Sequence, residues 1–371
     1  MSTFFRKTKN TLGLDISDVS LKLVELEPVE GGYQVQAFTD APIPKEVVSG
    51  DMIKNQGLLV KTIKDALAHP KFGKITTPYV VASIPETKSF VRVIQMPAMS
   101  EDEAAEAIRW EAESYIPLPI GQVYLDWMIL PHAQTKTTDP EKMTVLITAS
   151  PKDYIDDFTK ILQEAGLHPL ALEVEAEAIA RSLVTSGDET VLIMDIDTVR
   201  SSLIVYEKTA LQFTSSIPIA GNVFTESIAR AMGVPSTEAE QIKRTFGLEG
   251  SAENHVASKS LLPVLNNLVT EIKNTIRFYE EHSGADTRIS RLLLAGSSSK
   301  LKLLPSFLQD KLNHAEKTDH PLRSVPGIRV ELGDPWTKVL PKKQISPLSR
   351  EDSLSYTTAI GLALRDSDEV E

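Results

Sequence analysis

The feature that most constrains the fold of this chain is a repeat within it. Residues 11–17, 19–27 and 33–39 alternate or run apolar over strand-like lengths, and residues 190–197, 201–206 and 210–216 do so again. The first strand of each set ends alike, in Leu14-Asp15-Ile16 and in Met194-Asp195-Ile196. A helical pattern follows each set: residues 51–68, with Ile53, Leu59, Ile63 and Leu67 on one face, and residues 225–232. A strand–strand–strand–helix unit that occurs twice predicts a duplicated α/β fold. With an Asp at the same strand end in both copies, a ligand is expected in the cleft between them.

Extra material separates the copies. Residues 79–84 and 90–95 read as strands. Ser100 and Glu103 form a capping box for a helix over 101–115, which Pro117 and Pro119 stop. Residues 143–149 read as a strand, 132–141 as a polar loop, and 152–165 as a helix that turns Ile155, Phe158, Ile161 and Leu162 inward and ends at Gly166. Together these predict an inserted α+β subdomain. The expected partition is a first lobe over 1–76, the insert over 77–170, a return to the first lobe over 171–189, a second lobe over 190–350, and a closing helix (356–365) with an acidic tail (366–371) over 351–371. Within the second lobe, 261–281 reads as a long amphipathic helix. A buried-type strand over 291–295 runs into Gly296-Ser297-Ser298-Ser299 and a helix over 300–312, and connecting loops are expected over 317–350.

Composition narrows the function. A chain of 371 residues makes roughly one to three domains. The net charge of -12 disfavours general nucleic-acid binding. There is no cysteine, which removes disulfides, thiol nucleophiles and cysteine zinc sites together. The seven histidines lack metal-ligand spacing. No apolar run approaches the roughly 20 residues that span a bilayer. At the start, Phe4 and Phe5 sit beside Arg6, Lys7 and Lys9 with no apolar core behind them, so no secretory signal is read there. That segment reads as a disordered arm or as one that touches a membrane surface.

The chemistry is expected in the loops. Asp15 at a strand end, a tight turn, and Lys22 seven residues on could face a magnesium-bound phosphate, with turn amides donating to its oxygens. Taken alone that signal is weak, and a plain hairpin is the simpler explanation of the loop. Its repetition as Asp195-Ile196-Asp197-Thr198-Val199-Arg200-Ser201 adds weight. Further on, Ala220-Gly221-Asn222 opens a helix, and Glu240 and Lys243 lie on adjacent helical turns, as ligand groups or as a surface salt bridge. Gly296 and its serines form either a helix start facing an anion or a Ser-capped helix.

In this order, from residue 12 to 365, the loops resemble the family of ATPases that includes actin and hexokinase. The insert resembles those of FtsA and PilM. Val24-Glu25-Leu26, Val174-Glu175, Ile242-Lys243-Arg244 with Gly247-Leu248, and Thr358-Ala359-Ile360-Gly361-Leu362-Ala363 are similar to the PilM family of type IV pilus assembly proteins. The resemblance implies an actin-like (ribonuclease H-like) duplicated two-lobe fold with an inserted α+β subdomain, and ATP with Mg2+ as ligands. By position, Asp15 and Asp195 would order the metal, and Lys22, the amides of Ser17, Asp18 and Val19, Asp197 and Ser201 would meet phosphates. Gly221 and Asn222 would line the second flank, Glu240 and Lys243 the ribose and adenine, and Gly296 and Ser297 the adenosine turn. Glu175 would orient an attacking water, unless it is simply an acidic helix start.

Family members often carry glycine where this chain has Ser17, Asp197 and Ser297. Asp18 and Asp197 also bring carboxylates towards a polyanion, a repulsion on the order of 1 to 4 kcal/mol at aqueous to surface dielectrics. Either magnesium offsets it, the side chains point away, or the site is weakened. Turnover is expected to be slow or absent, since Arg200 is the only guanidinium near these loops. The resemblance further implies a cytoplasmic scaffold at the inner face of the cell membrane. It would be recruited by the tail of a PilN-like inner-membrane protein and would meet other pilus assembly components. The tail groove is expected near residues 100–119, where Trp110 and Tyr115 either line it or pack the subdomain core. The rivals are an FtsA-like cell-division filament protein and a sugar-kinase-like enzyme. Against the first stands the polar end of the chain. Against the second stands the lack of a carboxylate that must act as general base.

Overall fold

The computed structural model describes residues 10–130, 141–185, 190–207, 210–251, 254–282, 288–314, 327–339 and 346–365. The arm bearing Phe4 and Phe5, most of the 132–141 loop, and the acidic tail over 366–371 lie outside the described residues. The chain divides into two compact units. One comprises Met1–Ile129, Val145–Thr185 and Asp334–Glu371, the other Leu130–Thr144 and Ser186–Gly333.

The first unit opens on the expected meander, β1 (Thr11–Ile16), β2 (Ser20–Val29) and β3 (Gly32–Pro42). A small hairpin follows, β4 (Val48–Ser49) and β5 (Met52–Ile53), turning through Gly50 and Asp51, whose φ values of 60° and 57° are both left-handed. The helix expected from residue 51 therefore starts later, as α1 (Gln56–Ala68), where the Asn55 side chain accepts from the Leu58 N–H and caps it. Next come β6 (Phe72–Gly73), β7 (Tyr79–Ile84), β8 (Phe90–Pro97), α2 (Glu101–Glu113), β9 (Val123–Leu130), β10 (Lys142–Pro151), α3 (Lys152–Glu164), β11 (His168–Val174) and α4 (Glu175–Leu183). The Ser100–Glu103 capping box forms as expected.

The structure partitions residues 77–170 differently from the expected insert. In the main sheet, ordered β11-β7-β1-β2-β3-β6, β7 pairs parallel with both β1 and β11. Phe158, Ile161 and Leu162 of α3 share a core with Leu59 and Ile63 of α1. What departs from this sheet is the three-stranded β8-β10-β9 sheet with α2. The reason is alternation. Leu12 and Leu14 face the α1/α3 core, whereas Val24, Leu26 and Val81 face the other side and need a second cover.

The second unit repeats the plan: β12 (Val191–Ile196), β13 (Ser201–Glu207), β14 (Ala210–Ile217), α5 (Gly221–Met232), α6 (Ser236–Phe246), α7 (His255–His282), β15 (Arg291–Ala295), α8 (Leu304–Asn313) and β16 (Arg329–Leu332). Its sheet runs β14-β13-β12-β15-β16, matching β3-β2-β1-β7-β11 strand for strand. Phe224, Leu265, Ile272 and Leu308 cover one face. Several expectations change here: α5 starts at Gly221 where 225 was expected, and α7 at His255 where 261 was expected. Residues 329–332, expected as loop, pair parallel with β15. The helix expected from 300 starts at 304, after Leu303 at φ 64°, a conformation no helix interior accepts. The chain then returns to the first unit through α9 (Arg350–Ser353) and α10 (Thr357–Ala363), whose Ala359 and Ile360 pack with Val24 and Leu26 and supply the missing cover.

Candidate functional site

Asp15 lies near the end of β1, on the sheet face covered by α10, and is 5% exposed. The register places Lys22 of β2 opposite it, and the ammonium approaches its Oδ2 at 3.6 Å. Ser83, from the end of β7, donates to Oδ1 at 3.0 Å. A carboxylate, a cation and a hydroxyl thus converge at three neighbouring strand ends. Spacing within the chain gave the first two. Ser83, 68 residues away, carried no sequence signal.

The following turn closes when the Ser17 N–H donates to the Ser20 carbonyl at 2.9 Å. The Ser17 hydroxyl is turned into the same turn, accepting from the Ser20 N–H at 3.2 Å. Asp18 looks elsewhere: its carboxylate accepts from the Gly50 N–H at 3.0 Å and the Asp51 N–H at 2.9 Å. Its side chain is therefore not aimed at a phosphate, and only its amide stays a candidate donor with that of Val19.

In the second unit, Asp195 ends β12 in the equivalent position, with Ser202 opposite. The Asp197 N–H closes the turn on the Arg200 carbonyl at 3.0 Å. The carboxylate of Asp197 accepts from the Ser297 hydroxyl at 2.9 Å, and its carbonyl accepts from the Gly221 N–H at 2.9 Å. This residue ties together three of the expected loops. Two glycines permit that. Gly296 has φ 85°, and a Cβ there would lie 2.6 Å from the Ile196 carbonyl oxygen. A Cβ on Gly221 would lie 2.2 Å from the Ser298 hydroxyl. Asn222 is in the first turn of α5, its side chain accepting from the Val223 N–H at 2.8 Å.

Ser201 does not join them. It is fully buried, and its hydroxyl donates to the Ile219 carbonyl at 2.6 Å, so that group faces inward. Lys243 is also committed. It is 7% exposed, and its ammonium donates to the Gly221 carbonyl at 2.9 Å, to Thr225 at 2.9 Å and to Glu240 at 2.7 Å. These three acceptors use all its protons. Burial pushes the Lys243 pKa down, against the pull of Glu240. For Glu240, burial works upward, but hydrogen bonds from Lys243, Thr225 and Arg244 hold it at about 2. Thr225 joins this cluster at both ends, a role its place in the sequence motif did not disclose.

Glu175 is the first residue of α4, half-buried, and its charge helps keep the Tyr154 hydroxyl protonated after burial has already raised it. Among the described residues no group of three or more His, Asp or Glu could hold a metal ion. A single strand-end carboxylate from each loop, Asp15 and Asp195, would suit magnesium, which keeps waters and binds chiefly to phosphates, better than a metal caged by protein.

Comparison with known proteins follows the same lines. A family model described as type IV pilus assembly protein PilM matches residues 13–367. A solved PilM-PilN type IV pilus biogenesis complex is similar with a TM-score of 0.78 and 29% identity, over 96% of this chain and 98% of that one. MreB 5 of Spiroplasma citri bound to AMPPNP is similar in fold, with a TM-score of 0.50 and 13% identity over 95% of each chain. The cell division protein FtsA of Escherichia coli (strain K12) is 34% identical over 97 residues, 26% of this chain and 23% of that protein. The match thus spans about a quarter of that curated relative's length.

Proposed function

Because the chain belongs to the type IV pilus assembly protein PilM family, we propose that it is an ATP-binding scaffold of type IV pilus assembly that holds the cytoplasmic tail of a PilN-like inner-membrane protein. The fold is actin-like and duplicated. The observation that carries the partner is the likeness to the PilM-PilN complex over nearly the whole of both chains. Among the described residues no helix is long and apolar enough to cross a membrane. A place at the cytoplasmic face of the inner membrane is part of the proposal and rests on that partner.

For the nucleotide, the supporting observation is the pair of Asp loops in equivalent hairpins. Asp15 and Asp195 would order the magnesium, which would neutralise phosphate charge. The amides of Ser17 and Asp197 close their own turns, so Lys22, the amides of Asp18 and Val19, Gly221 and Asn222, Glu240, and the Gly296–Ser297 turn would hold the nucleotide. The side chains of Asp18, Ser201 and Lys243 are left out, since each is committed within the protein. Asp18 and Asp197 turn their carboxylates to neighbouring turns, which would lessen the expected repulsion from the phosphates. Glu175 would orient water in a slow hydrolysis.

Trp110 bears on the tail. It is 69% exposed on α2, whereas Tyr115 is half-buried under Arg92, whose guanidinium lies 4.3 Å from the ring centre. Trp110 therefore does not pack the subdomain core, and an exposed Trp is a common interface anchor. Fluorescence anisotropy with the cytoplasmic-tail peptide of the PilN-like neighbour tests this. The expected result is binding that weakens about 30-fold in Trp110→Ala, the equivalent of about 2 kcal/mol. No binding to the wild type would contradict the partner, and an unchanged affinity in the variant would put the groove elsewhere.

A further inference from the structure

The β4–β5 hairpin is seated at its base by Val48, buried in the core around Leu59, and by Ile53, which packs against that core. Its strands are two residues long, and a lone hairpin even of ordinary length is marginal in water. Side chains fix it from both ends. On one side the Asp18 carboxylate gathers the two turn N–H groups, of Gly50 at 3.0 Å and Asp51 at 2.9 Å, in charge-assisted hydrogen bonds. On the other side the Asp51 carboxylate accepts from the Thr87 hydroxyl at 2.6 Å. Thr87 belongs to the single 3-10 turn Glu86–Lys88 that joins β7 to β8. At that turn the chain leaves the main sheet for the β8-β10-β9 sheet. The hairpin thus lies between the loop that follows Asp15 and the first residues of the insert, with one carboxylate at each junction.

We propose that this hairpin couples the Asp15–Lys22 loop to the inserted sheet and α2, with Asp18 as the positioning residue at one end and the Asp51–Thr87 hydrogen bond at the other. The inference rests on the function proposed above, in which that loop meets phosphate and the insert holds the tail. When the loop adjusts to a phosphate, Asp18 moves with it. Both of its carboxylate oxygens hold turn amides, so the turn either follows or loses two hydrogen bonds. Asp51 passes the displacement to Thr87, where the insert begins. By linkage, nucleotide then changes tail affinity by the same factor as tail changes nucleotide affinity.

The test is calorimetry on the full chain, measuring magnesium–ATP affinity with and without saturating tail peptide. In the wild type the two affinities are expected to differ about five-fold or more. Thr87→Val removes the hydroxyl while touching neither proposed ligand. It should leave ATP alone and peptide alone within about two-fold of wild type, yet bring the coupling factor to within about two-fold of one. Thr87→Ser keeps the hydroxyl and should restore the coupling, which a mere packing effect would not. Asp18→Asn, which cannot accept both turn amides, should lose it as well. Equal coupling in wild type and Thr87→Val, or wild-type binding of both ligands with no coupling, overturns the hairpin's role and leaves the proposed function standing. Failure of the wild type to bind ATP or peptide overturns both.

Discussion

The hairpin that follows β1 and the one that follows β12 close by the same bond, from the N–H two residues past the Asp to the carbonyl three further on, at 2.9 Å and 3.0 Å. Their surroundings differ. Opposite Asp15 stands Lys22, buried and 3.6 Å away, whereas opposite Asp195 stands Ser202. Each loop also carries a second carboxylate turned sideways, Asp18 onto the β4–β5 turn and Asp197 onto Ser297. Duplication has kept the backbone and divided the work. In the first copy a lysine balances the Asp within the sheet. In the second copy the lysine at hand, Lys243, is occupied in fixing the start of α5.

That contrast can be broken most directly at Asp15. Asp15→Ala leaves Lys22 buried beside no carboxylate at that position and should cost about 3 kcal/mol of stability in urea unfolding. Asp195→Ala, half-buried and facing a serine, should cost about 1 kcal/mol. Equal losses would mean that the two loops are electrostatically alike. Lys243→Met removes three charged hydrogen bonds and should cost about 2 kcal/mol by the same assay. Ser201→Ala is smaller again, about 1 kcal/mol, with ATP affinity kept within about two-fold. A ten-fold loss of ATP affinity in that variant would return Ser201 to the phosphates.

Two carboxylates, one in each unit, should also respond to pH in opposite senses. Burial, and then the charge of Glu173, push Glu177 in α4 up to about 7, against Arg181 and Arg365. The folded chain therefore keeps a proton that the unfolded chain has lost above about pH 4.3. Its stabilising contribution is complete below that pH and disappears as pH rises through about 7. Glu240, held at about 2, works in the opposite sense. Its contribution is present above the usual carboxylate range and is lost as pH falls through about 2. Glu177→Gln should raise the melting temperature by a few degrees at pH 8 and leave it unchanged near pH 4. A rise of equal size at both pH values would detach the effect from ionisation.

Much of the fold was legible because its signals are local. The meander strands showed as alternation, the Ser100–Glu103 box formed, and Gly166, at φ 90°, ends α3 as expected. The partition of residues 77–170 was hidden because it depends on β7 pairing with β1 and β11, and partners far apart in sequence leave no periodicity. Four-residue β16 offered too short a run to detect. Helix starts shifted where positive φ at Asp51 and Leu303 interrupted apparent periodicity. Around the candidate site, the pairing of Asp15 with Lys22 was readable because a tight turn brings them opposite each other. Ser201 misled because one residue of register decides whether a strand side chain faces the core or a loop.

The central claim is that both Asp loops serve magnesium-dependent ATP binding. Isothermal titration of ATP into the wild type, Asp15→Ala and Asp195→Ala, at millimolar magnesium, tests it most directly. Saturable binding to the wild type is expected, weakened about ten-fold in each variant, or about 1.4 kcal/mol. No binding to the folded wild type, or binding that neither substitution changes, would contradict it.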